Sequence, residues 1–314
     1  MKRVKFIEVR SEIGAGTRGA SLGVDAIKIA ALDSGSFLFN QIKSVEVPHE
    51  NHLLYEPQGS LYAKRISGVL RLYERMIPVI VATLQQKFVP IILGGDHSIA
   101  GGTIAGIKKA YPNSQLGVIW MDAHADLHSP YTTPSGNMHG MALCTALAED
   151  NIQDQINKPD KETIELWEKL KKAGGVSPKI TYKDLVYIAL RDAEFGETDL
   201  LRKKKVKIFT TADFKKNGIE KIARHTFNHL KNCDLIYISF DVDSMDASII
   251  KGTGVPVRNG ISEKEAGNLL TRLVQNEKVC CLEFSEVNPT LDKENRTAEI
   301  TFGILQKVIT QIQH

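Results

Sequence analysis

The chain has 314 residues, with 40 Lys and Arg against 37 Asp and Glu and a formal charge of +3. That balance leaves no electrostatic footprint for nucleic acid or an anionic membrane surface. With 42% hydrophobic residues it can bury a large core, and its length suits one large α/β domain over residues 1–314.

Taken in chain order, the basic start holds a short apolar run over 4–9, interrupted by Glu8 and followed by Arg10. It reads as a first strand rather than a signal peptide. Helical periodicity follows over 61–86, then an apolar strand over 89–93 that ends in Gly94, Gly95, Asp96 and His97. A helix over 103–110 leads to a strand over 117–121, which runs into Asp122, His124, Asp126 and His128. Residues 150–183 are rich in Lys, Glu and Asp and read as a polar surface excursion with one exposed helix, ended at Gly174 and Gly175. Strands resume at 185–190 and 206–209, the first followed by Arg191, Asp192, Glu194 and Glu197. A helix over 219–230 precedes a strand over 235–240, which is followed by Asp241, Asp243 and Asp246. Ser262 and Glu265 form a capping box opening a helix over 263–275. A strand over 279–284 leads to Glu286, and a last helix spans 297–312.

Strands with continuous apolar character alternate with amphipathic helices, which predicts a parallel sheet wrapped by helices. No apolar stretch is long enough to cross a bilayer. Cys144, Cys233, Cys280 and Cys281 show no framework spacing and read as reduced core residues, which suits a cytoplasmic location.

In such sheets ligands bind at the carboxyl ends of the strands, and here five successive strands end in carboxylate or imidazole. Residues i and i+2 of an extended segment share a face, so Asp122, His124 and Asp126 project together, as do Asp241 and Asp243. With His97 they make four carboxylates and two imidazoles, a mixed oxygen and nitrogen set suited to Mn²⁺ or a similar divalent ion. Without a thiolate, a structural zinc site is disfavoured. Six ligands are many for one ion but are used naturally by two ions roughly 3.5–4 Å apart. His225 and His229, at i and i+4, lack a neighbouring Glu and read as an exposed helical face.

These residues also carry a resemblance. GGDHS at 94–98, DAHAD at 122–126, SFDVDSMD at 239–246 and EVNP at 286–289 resemble the arginase family, the ureohydrolases, in order and spacing from Gly14 to the last helix. The resemblance implies a three-layer α/β/α fold around a mostly parallel sheet. It implies two Mn²⁺ ions and a metal-bridging hydroxide that cleaves a guanidino group, as in the conversion of L-arginine to L-ornithine and urea. By position, His97, Asp122, Asp126 and Asp241 would hold one ion. His124, Asp122, Asp241 and Asp243 would hold the other. Asp126 would orient the nucleophile, Glu286 would pair with the guanidinium, and His139 would be the proton shuttle.

The loop Thr132 to Gly140 resembles arginases in particular, where Ser135 and Asn137 would donate to a substrate carboxylate. Arg191-Asp192-Ala193-Glu194 and Glu197 resemble the acidic loop that reads its ammonium group, where Asp192 and Glu194 would bind it. Three positions depart from the family: His128 where Asn is usual in the carboxylate set, Glu194 where Asp is usual, and Val255 where Thr is usual. They bear on specificity, and they keep open agmatine, a guanidino acid or formiminoglutamate as substrate. A reading of another class is a non-catalytic, metal-dependent binding or assembly module. The resemblance further implies a homo-oligomer, trimer or hexamer, and a small-molecule guanidino substrate.

Overall fold

The structure, a computed structural model, describes residues 2–313, so the first and last residues of the expected domain lie outside it. Eight strands make one sheet: β1 (Arg3–Val9), β2 (Ser44–Glu46), β3 (Phe88–Gly94), β4 (Leu116–Met121), β5 (Leu185–Ile188), β6 (Lys207–Phe209), β7 (Leu235–Asp241) and β8 (Val279–Ser285). Their order is β2-β1-β3-β8-β7-β4-β5-β6, and every neighbouring pair is parallel. The mostly parallel sheet expected from the sequence is thus parallel throughout. All its carboxyl ends therefore lie at one edge.

Alternation within each strand divides the core in two. From β4, Ile119 and Met121 enter one cluster, whereas Val118 and Trp120 enter the other. The helices Gly23–Asp33, Thr211–His229, Glu263–Leu273 and Arg296–Gln313 cover the first face. Ile66–Gln85, Ala100–Ala110, Ala142–Leu147 and Lys161–Lys171 cover the second. Apolar side chains on both faces explain why the strands read as continuous hydrophobic runs. Among the described residues, no helix is long and apolar enough to cross a membrane.

Three expectations are corrected. The edge strand β2 was not anticipated, because three residues with exposed Ser44 and Glu46 carry no periodic signal. The helix expected over 219–230 begins at Thr211 on a Thr210/Asp213 capping box and is interrupted by Gly218, at φ 72°. The helix of the 150–183 excursion is not wholly exposed, since Lys161–Lys171 buries Trp167 and Leu170 against the second core cluster. Gly174 then ends it at φ 81°, where a Cβ would lie 2.7 Å from the Ala105 carbonyl oxygen. The Ser262/Glu265 capping box and its helix stand as expected.

Candidate metal centre and active site

Local backbone requirements place each ligand. After β3 the chain passes so close to the first strand's exit that a Cβ on Gly95 would lie 2.0 Å from the Ser11 carbonyl oxygen. Asp96 then caps the turn that presents His97: its carboxylate accepts from Ser98 N–H at 2.9 Å and from Gly14 N–H at 2.9 Å. After β4, Asp122 accepts from His124 N–H at 2.6 Å, and after β7, Asp241 accepts from Asp243 N–H at 2.8 Å. Each carboxylate thereby braces the next ligand two residues on.

The side chains converge. His97 Nδ1 lies 3.0 Å from Asp122 Oδ2, 3.1 Å from Asp126 Oδ2 and 3.2 Å from Asp241 Oδ2. His124 Nδ1 lies 2.9 Å from Asp243 Oδ2 and 3.5 Å from Asp122 Oδ1. Two ligand groups result, His97/Asp122/Asp241 and Asp122/His124/Asp243, sharing Asp122, with the donor atoms of each within 4.8 Å of one another. Below them, the imidazole of His97 stacks on the indole of Trp120 at 4.2 Å between centroids. Ser239 Oγ is 2.7 Å from His97 Nε2. A proton held on Nε2 leaves the Nδ1 lone pair facing the carboxylates, the orientation a metal ligand needs.

The donor set fits two divalent cations. The four carboxylates are buried, yet among the described residues only imidazoles stand within ion-pair distance of them, and no Lys or Arg nitrogen does. His97 Nδ1 and Asp122 Oδ2 have no hydrogen-bond partner despite being shielded from solvent. Burial and the neighbouring charges of Asp243 and Asp122 push Asp241 well above the usual carboxylate range. Burial and then Asp122 raise Asp243 to about 6. Positive charge between the two groups relieves both effects.

A cavity of about 300 Å³ opens from this cluster. Every site residue expected from the sequence lines it except Asp122, which lies beneath. Glu286 sits on its floor with φ 65°, in the left-handed region, and so does Asp126 at φ 52°. Two non-glycine residues held there at one site mark backbone strain that surrounding contacts maintain. Glu286 N–H donates to the Gly95 carbonyl oxygen at 2.7 Å. Its Oε1 accepts from His97 N–H at 2.9 Å and lies 3.1 Å from His139 Nδ1. Burial opposes protonation of His139, but Glu286 and then Asp126 and Asp96 outweigh it and raise that imidazole to about 9.

At the outer end, Gly136 (φ 76°) turns the loop tightly over Leu61 and presents Ser135 and Asn137 to the cavity. His128 Nε2 faces Glu197 Oε2 at 3.6 Å and Glu194 Oε2 at 3.8 Å. Asp192 is exposed, with Oδ2 3.8 Å from His124 Nε2. Val255 lines the wall and is 44% exposed. His225 and His229 stand on an exposed helical face, away from the cavity lining.

Sequence reasoning passed over Ser239 as a partner of His97, and it placed Arg191 and Glu197 in the acidic loop without assigning either of them a contact. Ser239 had a signal, its place two residues before Asp241 on one strand face. Glu197 is buried and accepts from Leu127 N–H and Glu194 N–H, which braces both walls of the outer cavity.

Comparisons with known proteins point to one family. The Arginase family model matches residues 2–310. An arginase from Brevibacillus brevis is 33% identical over 98% of this chain and 97% of its own. The native structure of arginase from Bacillus caldovelox superimposes with a TM-score of 0.85 at 31% identity, covering 98% of both chains. A formimidoylglutamase from Bacillus subtilis shares the fold, with a TM-score of 0.76 at 19% identity over 100% of this chain and 88% of its own.

Proposed function

The chain belongs to the arginase family of hydrolases, and from that premise we propose that it hydrolyses L-arginine to L-ornithine and urea with two Mn²⁺ ions. The observation that carries the reading is the joining of two carboxylate–imidazole groups, sharing Asp122, to a cavity whose far end holds Ser135, Asn137 and His128. His97, Asp122, Asp126 and Asp241 would hold one ion, and His124, Asp122, Asp241 and Asp243 the other. When bound, the two cations would lower the pKa of water toward neutrality and so supply hydroxide.

The chain's own groups do the rest. Asp126, at the rim of the cluster, accepts a hydrogen bond from the nucleophile and fixes its approach. Glu286 offers a carboxylate to the substrate guanidinium, holding the reacting carbon over the cluster. Attack forms a carbon–oxygen bond, and collapse breaks the bond to the alkyl-bearing nitrogen, which leaves as the amine. His139 is held by Glu286 through Nδ1, and that carboxylate favours its protonated form. His139 gives its proton to the departing amine. Ser135, Asn137 and His128 donate to the α-carboxylate, while Asp192 and Glu194 accept from the α-ammonium.

The Mn²⁺ assignment rests on the oxygen and nitrogen donors and the absence of thiolate. A cytoplasmic homo-oligomer, trimer or hexamer, is part of the same reading. It is supported by the family resemblance and by four free cysteines. Urea and amine release after Mn²⁺ loading, with L-arginine, agmatine and guanidino acids offered in parallel, tests the function. Preference for arginine is expected. Preference for another guanidine would make His128, Glu194 and Val255 a specificity switch, and no turnover of any substrate would sink the proposal.

A further inference from the structure

Arg191 sits among acidic residues at the end of β5, but its side chain pairs with none of them among the described residues. Instead the guanidinium donates to six main-chain carbonyl oxygens. Nη2 reaches Asp243 O at 2.6 Å, Met245 O at 3.1 Å and Val257 O at 3.0 Å. Nη1 reaches Ala189 O at 3.0 Å and Ser244 O at 3.2 Å, and Nε reaches Arg258 O at 3.0 Å. A guanidinium has five N–H groups in a rigid plane, so six contacts use them all and share at least one.

Five of those carbonyls belong to two segments that must meet at the site, and the sixth, Ala189 O, lies on the chain's own exit from β5. One segment is 243–245, which carries Asp243. The other is 257–258, the return limb of the arm 246–260 that sets Val255 in the cavity wall. The two limbs are pressed together: Asp246 N–H donates to Ile261 O at 2.9 Å, and a Cβ on Gly260 would lie 2.4 Å from the carbonyl carbon of Met245. Meanwhile the main chain of Arg191 holds a third segment, because its N–H and that of Asp192 both donate to Ala123 O, at 3.0 and 2.9 Å. Ala123 lies between Asp122 and His124, and its own N–H donates to Asp243 Oδ1 at 3.1 Å.

We infer that Arg191 is a positioning residue that sets Asp243 against Asp122 and His124 and holds the 246–260 arm over the substrate cavity. Its grip falls on Asp243 and, through Ala123, on the stretch next to His124, the two ligands that the group His97/Asp122/Asp241 does not share. The carbonyls it satisfies do not border His97 or Asp126. Arg191 therefore bears on the second cation and the substrate wall together, and reaches the first cation only through the shared Asp122 and through Asp241. This rests on the metal reading above.

The test compares wild type with Arg191→Lys, which keeps the charge but has three donors and no plane. It also uses Gly260→Ala, which pushes the arm off Met245 without touching Arg191. Mn²⁺ stoichiometry and affinity are measured by calorimetry, and hydrogen exchange by mass spectrometry on metal-free and loaded protein. In both variants one of the two Mn²⁺ sites should weaken by roughly 10–100-fold, and the other by clearly less. Amides of 244–258 should exchange about tenfold faster or more, with the sheet unaffected. KM for the preferred guanidine should rise along with a fall in kcat. Two sites of wild-type affinity in both variants, or unaltered exchange over 244–258, would overturn the inference. So would equal weakening of both sites with faster exchange throughout, since that marks a merely structural role. If wild type itself binds no Mn²⁺, the functional proposal fails, and exchange in metal-free protein still decides whether Arg191 holds the arm.

Discussion

Two clusters of buried charge lie on the strands of this sheet, and they solve the same problem in opposite ways. On β1, Glu8 is 2% exposed, and its carboxylate accepts from Lys28 Nζ at 2.6 Å and Arg10 Nη2 at 2.8 Å. Arg10 in turn donates to Asp25 at 2.5 Å. That cluster is closed, because the chain supplies its own cations. At the ends of β4 and β7 four carboxylates are buried too, yet among the described residues only imidazoles stand within ion-pair distance of them. A buried acid by itself says little. What separates structure from function is whether the neutralising charge comes from the same chain.

The sharpest way to break that contrast is Asp122→Ala or Asp241→Ala. Each should abolish binding of at least one Mn²⁺ ion and cut turnover by more than the roughly 100-fold that loss of an outer partner of a ligand costs. Elemental analysis beside urea assay decides it, and an active variant with two bound ions would end the two-metal reading. His139→Asn comes next. It should lower kcat about 100-fold while metal content stays at the wild-type level, because the residue moves a proton and holds no ion. A fall in bound metal instead would place His139 among the ligands.

The smallest effect is expected in the closed cluster. Burial pushes the Glu8 carboxyl up, but Lys28 and Arg10 outweigh it and hold the folded value below 4.5. A depressed carboxylate contributes stability that is whole above its unfolded value and is lost as pH falls through the folded one. Glu8→Gln should therefore lower stability by about 1–2 kcal/mol at neutral pH and flatten the acid limb below pH 4.5. Metal content and turnover should not change. Denaturant midpoints against pH check this, and an unchanged acid limb would show that Glu8 contributes no pH-dependent stability.

The open cluster was legible in the sequence and the closed one was not, for a physical reason. Alternate residues of an extended segment share a face, so Asp122, His124 and Asp126 declare a common direction in the text itself. Glu8 and Arg10 share that spacing, but their joining to Asp25 and Lys28 depends on how the helix Gly23–Asp33 lies on β1, which no local pattern encodes. The same division holds within the site. The i, i+2 ligands, Glu286 and the Ser135/Asn137 loop could be read from motif and order. The left-handed backbone of Asp126 and Glu286 could not, since neither residue type announces a positive φ. Arg191 was read as one member of an acidic, substrate-facing loop, because a sequence shows its charged neighbours and hides the carbonyls it grips. Trp167 was assigned to a solvated helix for a related reason: one apolar stripe on a polar helix faces the core only once the neighbouring helices are in place.

The stacking of His97 on Trp120 has a further consequence. The chain contains two tryptophans, and the other, Trp167, lies in the helix Lys161–Lys171, where its Nε1–H donates to Asp150. An ion arriving at His97 Nδ1 would bring positive charge against one indole face and leave the second indole in the same surroundings. The protein thus carries an intrinsic optical gauge of its own loading. Its emission should report occupancy of the first site without dye or label, and Trp120→Phe should silence that signal while leaving the baseline glow of Trp167.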